Sequence, residues 1–339
     1  MKTAVVILNW NGQKWLEKFL PTVIANSSDA LVVVADNGSS DHSADWTQTH
    51  HPKVHWISMP SNQGYAGGYN RALSILHAEQ PGLAYAVLMN SDIEPSPGWL
   101  EPLETFMDAH PTAGAIQPKL LDYQNRQHFE YAGAMGGMLD YWGYPFAIGR
   151  IFDHCEQDHG QYDQPAYPEV FWASGACLMV RWVAFDHVKG LDTRLFAHME
   201  EVDLCWRMWR AGYTVHACTQ SQVFHVGGGT LGALSPQKTF LNFRNSLLVA
   251  VKNLPALAAI RIVAARLFLD GLAGLLFLWR GQGKHCWAIV RAHGQFYRQM
   301  AAFAFFPQEH PKGWPAKGLY RGSIVWDYYA RNKKTTSKR

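Results

Sequence analysis

The 339-residue sequence is poor in features that mark several large classes of protein. Its five cysteines are widely spaced and form no C-x-x-C pair, which argues against a disulfide framework or a structural zinc site and fits a reducing compartment. Only 17% of the residues are charged and the formal net charge is +3, too small to indicate a nucleic-acid partner. The 48% apolar content is that of a folded protein.

Two common phosphate-binding loops are missing. No G-x-G-x-x-G follows the first apolar run, and no G-x-x-x-x-G-K-[ST] occurs anywhere. Dinucleotide-binding and P-loop functions would therefore lack the backbone that holds their phosphates. The glycine-rich GYAGGYNRA at 64–72 admits a ligand close to backbone, but it can equally serve only helix–strand packing.

Long uncharged apolar runs are missing too. AVVIL at 4–8 is too short for a signal-peptide core and no cleavage site follows it, so we expect a cytoplasmic N-terminus. No stretch reaches the roughly 18–20 uncharged apolar residues of a membrane-spanning helix. The longest uncharged piece of the apolar C-terminal segment is 271–279, which is too short.

What the sequence does contain is an alternation of short apolar runs and helical patterns. The runs predict four buried strands, and the patterns predict helices between them: strands at 4–8, 31–35, 54–59 and 84–89, helices at 14–25 and 65–78. Strands of continuous Val, Ile and Leu that alternate with helices indicate an α/β fold with a doubly wound, mainly parallel, Rossmann-like sheet covered on both faces.

Each predicted strand ends in a polar loop. In parallel sheets ligands bind outside the carboxyl ends of the strands, so we expect these loops to form one site. Their candidate residues are Asn9, Asn11, Asp36, Asn37, Asn62, Gly64, Asn90, Ser91 and Asp92. Taken singly, each loop is also what a strand-ending turn looks like, because Asn, Ser, Asp and Pro are turn residues.

The stretch FAHMEEVDLCWRMWRAGY at 196–213 predicts a helix with one buried face. Gly212 is placed to end it. Glu200 and Glu201 lie at its start, where the helix dipole favours carboxylates with or without a catalytic role.

Taken in order, these segments resemble the inverting family 2 glycosyltransferases of GT-A fold, especially the rhamnosyltransferases of bacterial surface-polysaccharide assembly. The resemblance runs from residue 3 to about residue 246 and is carried by VVILNWNG, VVADNGSSD, SNQGYAGGYNRAL, LMNSDIEP, the segment from GACLMV to RAGY, VFHVGGGT and FRN. It implies a GT-A catalytic domain at 1–246, followed by a helical, aromatic and basic region at 247–339.

The resemblance also implies the donor site. Asp36 matches the aspartate that binds the nucleotide's base or ribose, although a turn-capping role is the alternative. Asn62, Gly64 and Asn70 match the segment that lines the nucleotide pocket, and Asn70 could equally cap backbone locally. Arg244 in FRN could pair with phosphate or form a surface ion pair.

Asn90-Ser91-Asp92 stands where the family has Asp-x-Asp, so Asp92 is the implied ligand of a divalent cation, Mn²⁺ or Mg²⁺, that bridges the donor's phosphates. Asn90 departs from the pattern. His225 matches a histidine that joins the metal or the diphosphate, although a lone histidine after an apolar pair is more often a core residue.

For the general base the resemblance implies Glu201, with Glu200 as second choice. Asp203 is the third candidate, and orienting neighbours or pairing with Arg207 four residues on is its alternative role. Gly175 is expected to let backbone approach the sugar or the acceptor.

The implied function is inverting transfer of a sugar from a nucleotide-sugar, such as rhamnose from dTDP-rhamnose or a sugar from a UDP-sugar. The acceptor is expected to be a polysaccharide or an undecaprenyl-diphosphate-linked glycan. Two alternatives stay open: a nucleotidyltransferase acting on sugar phosphates, and a non-catalytic nucleotide-sugar-binding homologue, which Asn90 would suit.

The last third changes character. Residues 254–279 are mostly Leu, Ala, Ile and Phe, and Arg261, Arg266 and Asp270 are expected to cluster on one helical face. These helices either cover the catalytic domain as core or lie on a membrane. Later aromatics interleaved with cations, and the tail ARNKKTTSKR, favour peripheral attachment to the inner face of the cell membrane.

Overall fold

The computed structural model describes residues 1–227, 235–306, 309–315 and 317–336. The glycines that follow Gly227 in VFHVGGGT and the last three residues of the tail lie outside this part. The strands are β1 (Thr3–Asn9), β2 (Leu31–Asp36), β3 (His55–Ser58), β4 (Tyr85–Asn90), β5 (Ile93–Pro95), β6 (Ala113–Asp122), β7 (Gly137–Asp140), β8 (Pro145–Ala147), β9 (Arg150–Ile151), β10 (His154–Cys155), β11 (Cys177–Arg181), β12 (Thr214–His225) and β13 (Leu319–Tyr320). The helices are α1 (Gln13–Asn26), α2 (Ser43–His50), α3 (Gly64–Glu79), α4 (Leu100–Ala109), α5 (Trp182–His187), α6 (Glu200–Arg210), α7 (Pro236–Asn253), α8 (Ala256–Trp279), α9 (Gly283–Ala304) and α10 (Ile324–Tyr329), with a short 3₁₀ turn at Thr193–Leu195.

An eight-stranded sheet forms the centre of the molecule, in the order β3-β2-β1-β4-β11-β6-β12-β5. The first four of these strands are parallel to one another, and β6 and β12 are also parallel. β11 and β5 run antiparallel to their neighbours. The predicted α/β fold with a mainly parallel sheet is confirmed, and its four predicted strands correspond to β1–β4.

Both faces of the sheet are buried, which explains why the strands read as continuous apolar runs. In β1, Ala4 and Val6 face a core that includes residues of α3 and α6, whereas Val5 and Ile7 face a core built with α1 and α4. All four side chains are at most 2% exposed.

The C-terminal region is connected to the rest of the fold in two ways. Helix α7 is the first connection, because the boundary predicted after residue 246 lies inside it. β13 pairs in parallel with β7 and so completes a second, five-stranded sheet in the order β10-β9-β8-β7-β13.

A buried charge network ties α6 to α7. The Nζ atom of Lys252 lies 2.7 Å from carboxylate oxygens of both Asp192 and Asp203. Arg207 Nε adds a second cation 2.8 Å from Asp203. Because each buried charge has a partner, the network fixes α6 without leaving an uncompensated ion in the core.

Replacing Lys252 by methionine should lower the free energy of unfolding by about 3–5 kcal/mol, because it removes a cation that two buried carboxylates share. Urea unfolding followed by tryptophan fluorescence measures the change. Lys189→Met is the matched control, since the ion pair of Lys189 with Glu309 is at the surface and should leave the midpoint nearly unchanged. Equal losses in the two variants would contradict a structural role for the network.

Candidate active site

The ends of β1 and β2 place Asn9 beside Asp36, which are partners in the parallel register. The amide of Asn9 donates to Asp36 Oδ1 at 3.0 Å, and the backbone N–H of Ser39 donates to Asp36 Oδ2 at 3.1 Å. Asp36 therefore has the turn-capping contact that the sequence left open as its alternative role. That contact also fixes its carboxylate at the edge of the sheet.

The next loop is attached to the same edge through Asn37. Its amide donates to Asn62 Oδ1 at 3.1 Å and to the carbonyl of Gly64 at 3.0 Å. Gly64 has φ +72°, and a Cβ there would lie 2.6 Å from the carbonyl oxygen of Phe196. Only glycine fits this position, where α3 begins against the segment that precedes α6.

The loops after β1 and β4 also meet. A Cβ added at Gly12 would lie 2.5 Å from Asn9 Oδ1 and 3.6 Å from Ser91 Oγ. Asn11 accepts a hydrogen bond from the backbone N–H of Ser40 at 2.8 Å. The predicted polar loops thus gather at one edge of the sheet.

Asp92 and His225 lie side by side although they are far apart in the sequence. Asp92 Oδ1 is 3.1 Å from His225 Nε2, and Asn90 Nδ2 is 3.3 Å from the same nitrogen. The pairing of β5 with β12, in which His225 opposes Ile93, causes this proximity. The structure therefore brings the two predicted metal ligands together.

Glu130, which the sequence patterns did not single out, lies on the other side of His225. Its Oε1 is 3.2 Å from His225 Nδ1, and the residue is 3% exposed. Burial disfavours the imidazolium, but the carboxylates of Glu130 and Asp92 raise the pKa of His225 to about 10. Glu130 stands in an irregular segment between β6 and β7, so no periodic pattern marks it.

These residues fit a divalent cation that displaces the proton from Nε2 of His225, because only a neutral imidazole nitrogen binds a metal. A carboxylate and an imidazole are a donor pair suited to Mn²⁺ and compatible with Mg²⁺ completed by phosphate oxygens and water. Histidines that bind metals usually donate their second ring N–H to a carboxylate, which fixes the tautomer and the ring orientation. The carboxylate of Glu130 lies on the Nδ1 side of the His225 ring as a charge partner, while Nε2 faces Asp92.

Glu200 and Glu201 begin α6. Glu200 is 4% exposed. Glu201 is half-buried as a residue, but its carboxylate oxygen Oε2 is buried. Burial raises the pKa of Glu201 to about 7, and burial together with the charge of Glu201 raises the pKa of Glu200. Burial thus outweighs the helix dipole, which would lower both pKa values. A carboxylate with a pKa near 7 is suited to accept a proton at neutral pH.

Gly175 and Ala176, just before β11, lie between the start of α6 and the Asp92 loop. The carbonyl of Ala176 accepts from the backbone N–H of Asn90 at 2.9 Å. A Cβ at Gly175 would lie 3.7 Å from Cβ of Glu201 and 2.8 Å from the hydroxyl of Tyr65, which donates to the Gly175 carbonyl at 2.5 Å. The acidic helix and the loop of Asp92 therefore meet at two consecutive residues.

The structure corrects the assignment of Asp203 as a catalytic candidate. Burial alone would raise its pKa, but Arg207 and Lys252 hold the pKa well below its ordinary value. Its side chain is fully buried and also accepts from Asn253 at 2.9 Å. Asp203 is a permanently charged anchor, and its predicted pairing with Arg207 is confirmed.

Two predicted donor-site residues are also used elsewhere. The amide of Asn70 donates to the carbonyl of Leu191 at 2.8 Å, and its oxygen accepts from the N–H of Leu191 at 3.0 Å. Both polar atoms of the Asn70 side chain therefore bind backbone and not a nucleotide. Arg244 is 6% exposed and donates to the carbonyl of Leu195 at 3.0 Å and to Asn245 Oδ1 at 2.7 Å, so its guanidinium is not a surface phosphate ligand.

Comparison with known proteins identifies the family. The family model described as glycosyl transferase family 2 matches residues 4–167. The chain is 30% identical over 234 residues to the N-acetylglucosaminyl-diphospho-decaprenol L-rhamnosyltransferase of Mycobacterium tuberculosis, an alignment that covers 65% of this chain and 75% of that protein.

Solved glycosyltransferase structures share the fold at low sequence identity. S. aureus TarS 1-349 in complex with UDP-GlcNAc superposes with a TM-score of 0.55 at 13% identity, covering 88% of this chain and 82% of that one. The mannosyltransferase PcManGT of Pyrobaculum calidifontis, in complex with GDP-Man and Mn²⁺, gives 0.53 at 14% identity and covers 87% of each chain. Against a longer S. aureus TarS chain the alignment spans 43% of that chain.

The fold, the convergent polar loops and the similarity to the mycobacterial enzyme over three-quarters of its length lead to one conclusion: this chain is a GT-A glycosyltransferase that belongs to glycosyltransferase family 2.

Proposed function

We propose that the chain is a metal-dependent inverting glycosyltransferase that moves rhamnose from dTDP-rhamnose to a hydroxyl group of a lipid-linked glycan. The observation that carries the proposal is the junction at Gly175 and Ala176, which sets Glu201 beside the loop of Asp92. The name of the mycobacterial relative, a rhamnosyltransferase that acts on a diphospho-decaprenol, supports the sugar and a polyprenol-diphosphate-linked acceptor such as an undecaprenyl-diphosphate glycan. A UDP-sugar is the second candidate donor, because one structural neighbour binds UDP-GlcNAc.

On the donor side, the carboxylate of Asp36 would accept a hydrogen bond from the N–H of a thymine or uracil, or from a ribose hydroxyl. Asn9 and the Ser39 backbone hold that carboxylate in place. The loop of Asn62 and Gly64 would line the nucleotide, with Asn37 fixing its conformation.

Asp92 and His225 would hold the divalent cation, and Glu130 would orient the imidazole. When bound, the cation supplies Lewis-acid stabilisation of the negative charge on the departing diphosphate. Asn90 is neutral, so the protein contributes less negative charge to this site than an Asp-x-Asp pair would.

Glu201 would remove the proton of the acceptor hydroxyl while the hydroxyl oxygen attacks the anomeric carbon from the face opposite the nucleotide. The new C–O bond forms while the bond to the diphosphate oxygen breaks, and that electron pair leaves with the nucleoside diphosphate. The proton ends on Glu201. A single displacement of this kind inverts the anomeric carbon and needs no covalent enzyme nucleophile.

The rate of transfer should rise with pH and level off above about 7, because Glu201 must be deprotonated and its pKa lies near that value. Glu201→Gln should lower kcat by roughly 10²–10⁴-fold. Release of dTDP measured between pH 5 and 9 tests both statements. Glu200→Gln is the comparison variant, and a larger loss in Glu200→Gln would assign the base to Glu200 instead.

Binding of a nucleoside diphosphate should depend on Mn²⁺ and be lost in Asp92→Ala. Calorimetry with dTDP, UDP, GDP and ATP, with and without Mn²⁺, also identifies the donor base. Glu130→Gln should weaken Mn²⁺ binding by roughly 10–100-fold, because the carboxylate orients His225. Glu94→Gln is the control in the same motif, since Glu94 pairs with Arg126 at 2.7 Å. No binding of any of the four by folded wild type would exclude the metal–diphosphate site.

We also propose that the C-terminal helices attach the enzyme to the inner face of the cell membrane. The expectation that Arg261, Arg266 and Asp270 cluster on one face of α8 holds for two of the three charges and is wrong for Arg261. Arg266 and Asp270 are buried against each other, with Arg266 Nε 2.8 Å from Asp270 Oδ1, and His293 of α9 lies 3.0 Å from Asp270 Oδ2. Only Arg261 is exposed.

Because Arg266 and Asp270 face inward, the exposed side chains of α8 and α9 are mostly apolar, and we call this surface the apolar outer face. It consists of Leu257, Ile260, Leu267, Phe268, Leu272, Leu275, Leu278, Trp279, Trp287 and Val290, all exposed. Five exposed cations accompany it: Arg261, Arg280, Lys284, Arg291 and Arg298. The sole acidic residue between 256 and 304 is the buried Asp270. Exposed apolar groups and cations without carboxylates suit an anionic lipid surface.

Among the described residues, α8 is the one helix long and apolar enough to cross a membrane. Its buried residues form a stripe from Ala259 to Gly274: Ala259, Ile262, Arg266, Asp270 and Gly274. A helix that packs on protein along one side over most of its length is suited to lying on the bilayer, with the opposite side in lipid.

The double variant Phe268→Glu/Leu275→Glu should bind anionic phosphatidylglycerol vesicles at least about tenfold more weakly than wild type, because it places two charges in the apolar outer face. Cosedimentation with anionic and neutral vesicles measures the effect. Val183→Glu is the control, since Val183 is 70% exposed on α5, outside this face. An equal loss in the control, or no vesicle binding by wild type, would contradict membrane attachment through α8.

A further inference from the structure

The segment that leads into α6 has an unusual backbone. Phe196, His198 and Met199 have φ values of +66°, +67° and +75°. Left-handed φ is uncommon for residues other than glycine and persists only where the surroundings hold it. We call residues 195–199 the base turn, because Glu200 and Glu201 follow it directly.

The side chain of Asn245 on α7 binds carbonyl groups of the base turn. Its Nδ2 lies 2.7 Å from the carbonyl of His198, 2.9 Å from that of Ala197 and 3.0 Å from that of Leu195. Asn245 is completely buried. The two N–H groups of one amide are therefore shared among three carbonyls of the base turn.

Arg244, the preceding residue, fixes which way that amide points. Its Nε donates to Asn245 Oδ1 at 2.7 Å, and its Nη2 donates to the carbonyl of Leu195 at 3.0 Å. A guanidinium has only donors, so the amide oxygen must face Arg244 and the amide N–H groups must face the turn. Gln295 of α9 accepts from the remaining Nη1 at 3.3 Å.

The other side of the base turn is held by the donor-side loop. The backbone N–H groups of Tyr65 and Ala66, at the start of α3, donate to the carbonyl of Phe196 at 2.9 and 3.3 Å. Gly64 leaves the space for this approach. The turn is thus bound between α3, which follows the nucleotide loop, and α7.

We infer that Arg244 and Asn245 are positioning residues that hold the base turn, and with it the carboxylates of Glu200 and Glu201, against the donor-side loop. The inference rests on the proposed function in one respect, the role of Glu201 as base. It gives the FRN motif a role in transfer that acts through backbone rather than through substrate phosphate.

Asn245→Ala tests the inference, with Ser246→Ala as the matched control. Ser246 is the next residue of α7, is 6% exposed, and accepts from Arg266 rather than contacting the turn. Hydrogen exchange followed by mass spectrometry should show peptides that cover 195–201 exchanging roughly tenfold faster in Asn245→Ala, as expected for lost hydrogen bonds, and unchanged in the control.

Kinetics should separate positioning from a general loss of structure. We expect kcat of Asn245→Ala to fall by roughly 100-fold, because the base is misplaced. Affinity for dTDP with Mn²⁺, and the number of sites that bind it, should stay as in wild type. The acidic side of the pH–rate profile should move to lower pH. A looser turn admits water to Glu201 and so lowers the pKa that burial had raised.

Unchanged exchange at 195–201 would overturn the inference whatever the activity. A fall in kcat matched by an equal fall in the number of dTDP sites would also overturn it, since only the folded fraction would have changed. If exchange at the turn is faster in Asn245→Ala but the wild type transfers no sugar, the proposed function is contradicted, whereas the hold of Arg244 and Asn245 on the base turn is supported. If Asn245→Ala does not fold, Asn245→Asp keeps the acceptor for Arg244, loses both N–H donors and gives the same readouts.

Discussion

The parallel register of β1 between β2 and β4 decides where the polar side chains of the donor side lie. Asn9 opposes Asp36 in one pair and Leu8 opposes Asn90 in the other, so three strands end at the same level. Because these strands are buried on both faces, a slip of one residue would exchange the side chains that enter the two cores, and the register is strongly specified. Packing of Val, Ile and Leu therefore determines the placement of Asp36 and Asn90.

Antiparallel strands supply the rest of the site at the same edge. β11 runs opposite to β4, so its start lies where β4 ends, and Gly175 and Ala176 reach the Asp92 loop from there. β12 runs parallel to β6 and ends at His225, opposite Ile93 of the short β5. The mixed direction of the sheet thus brings the loop of Asp92, the side chain of His225 and the acidic start of α6 to the same edge of the sheet.

Sequence patterns predicted the parts of this architecture that depend on neighbouring residues. The four parallel strands and α1, α3 and α6 have apolar spacings that local physics dictates, and ordered motifs indicated the loops. The patterns could not show Glu130, which contacts His225 across the fold. They included Asn245 in the FRN motif but could not show its role, because that role depends on contacts with the base turn. For α8 the spacing placed Arg266 and Asp270 near each other but did not reveal that they face inward.

Helix α6 contains two kinds of buried carboxylate, and the difference between them explains how the helix can carry a reactive group. Asp203 is surrounded by Lys252, Arg207 and Asn253, so its charge is stabilised and its pKa is depressed. Burial dominates at Glu200 and Glu201, and their pKa values are raised. Neighbouring carboxylates whose environments separate their pKa values in this way divide structural and chemical roles. The ion network of Asp203 fixes the helix, so two uncompensated carboxylates can be held in its first turn, where one has a pKa suited to accepting a proton.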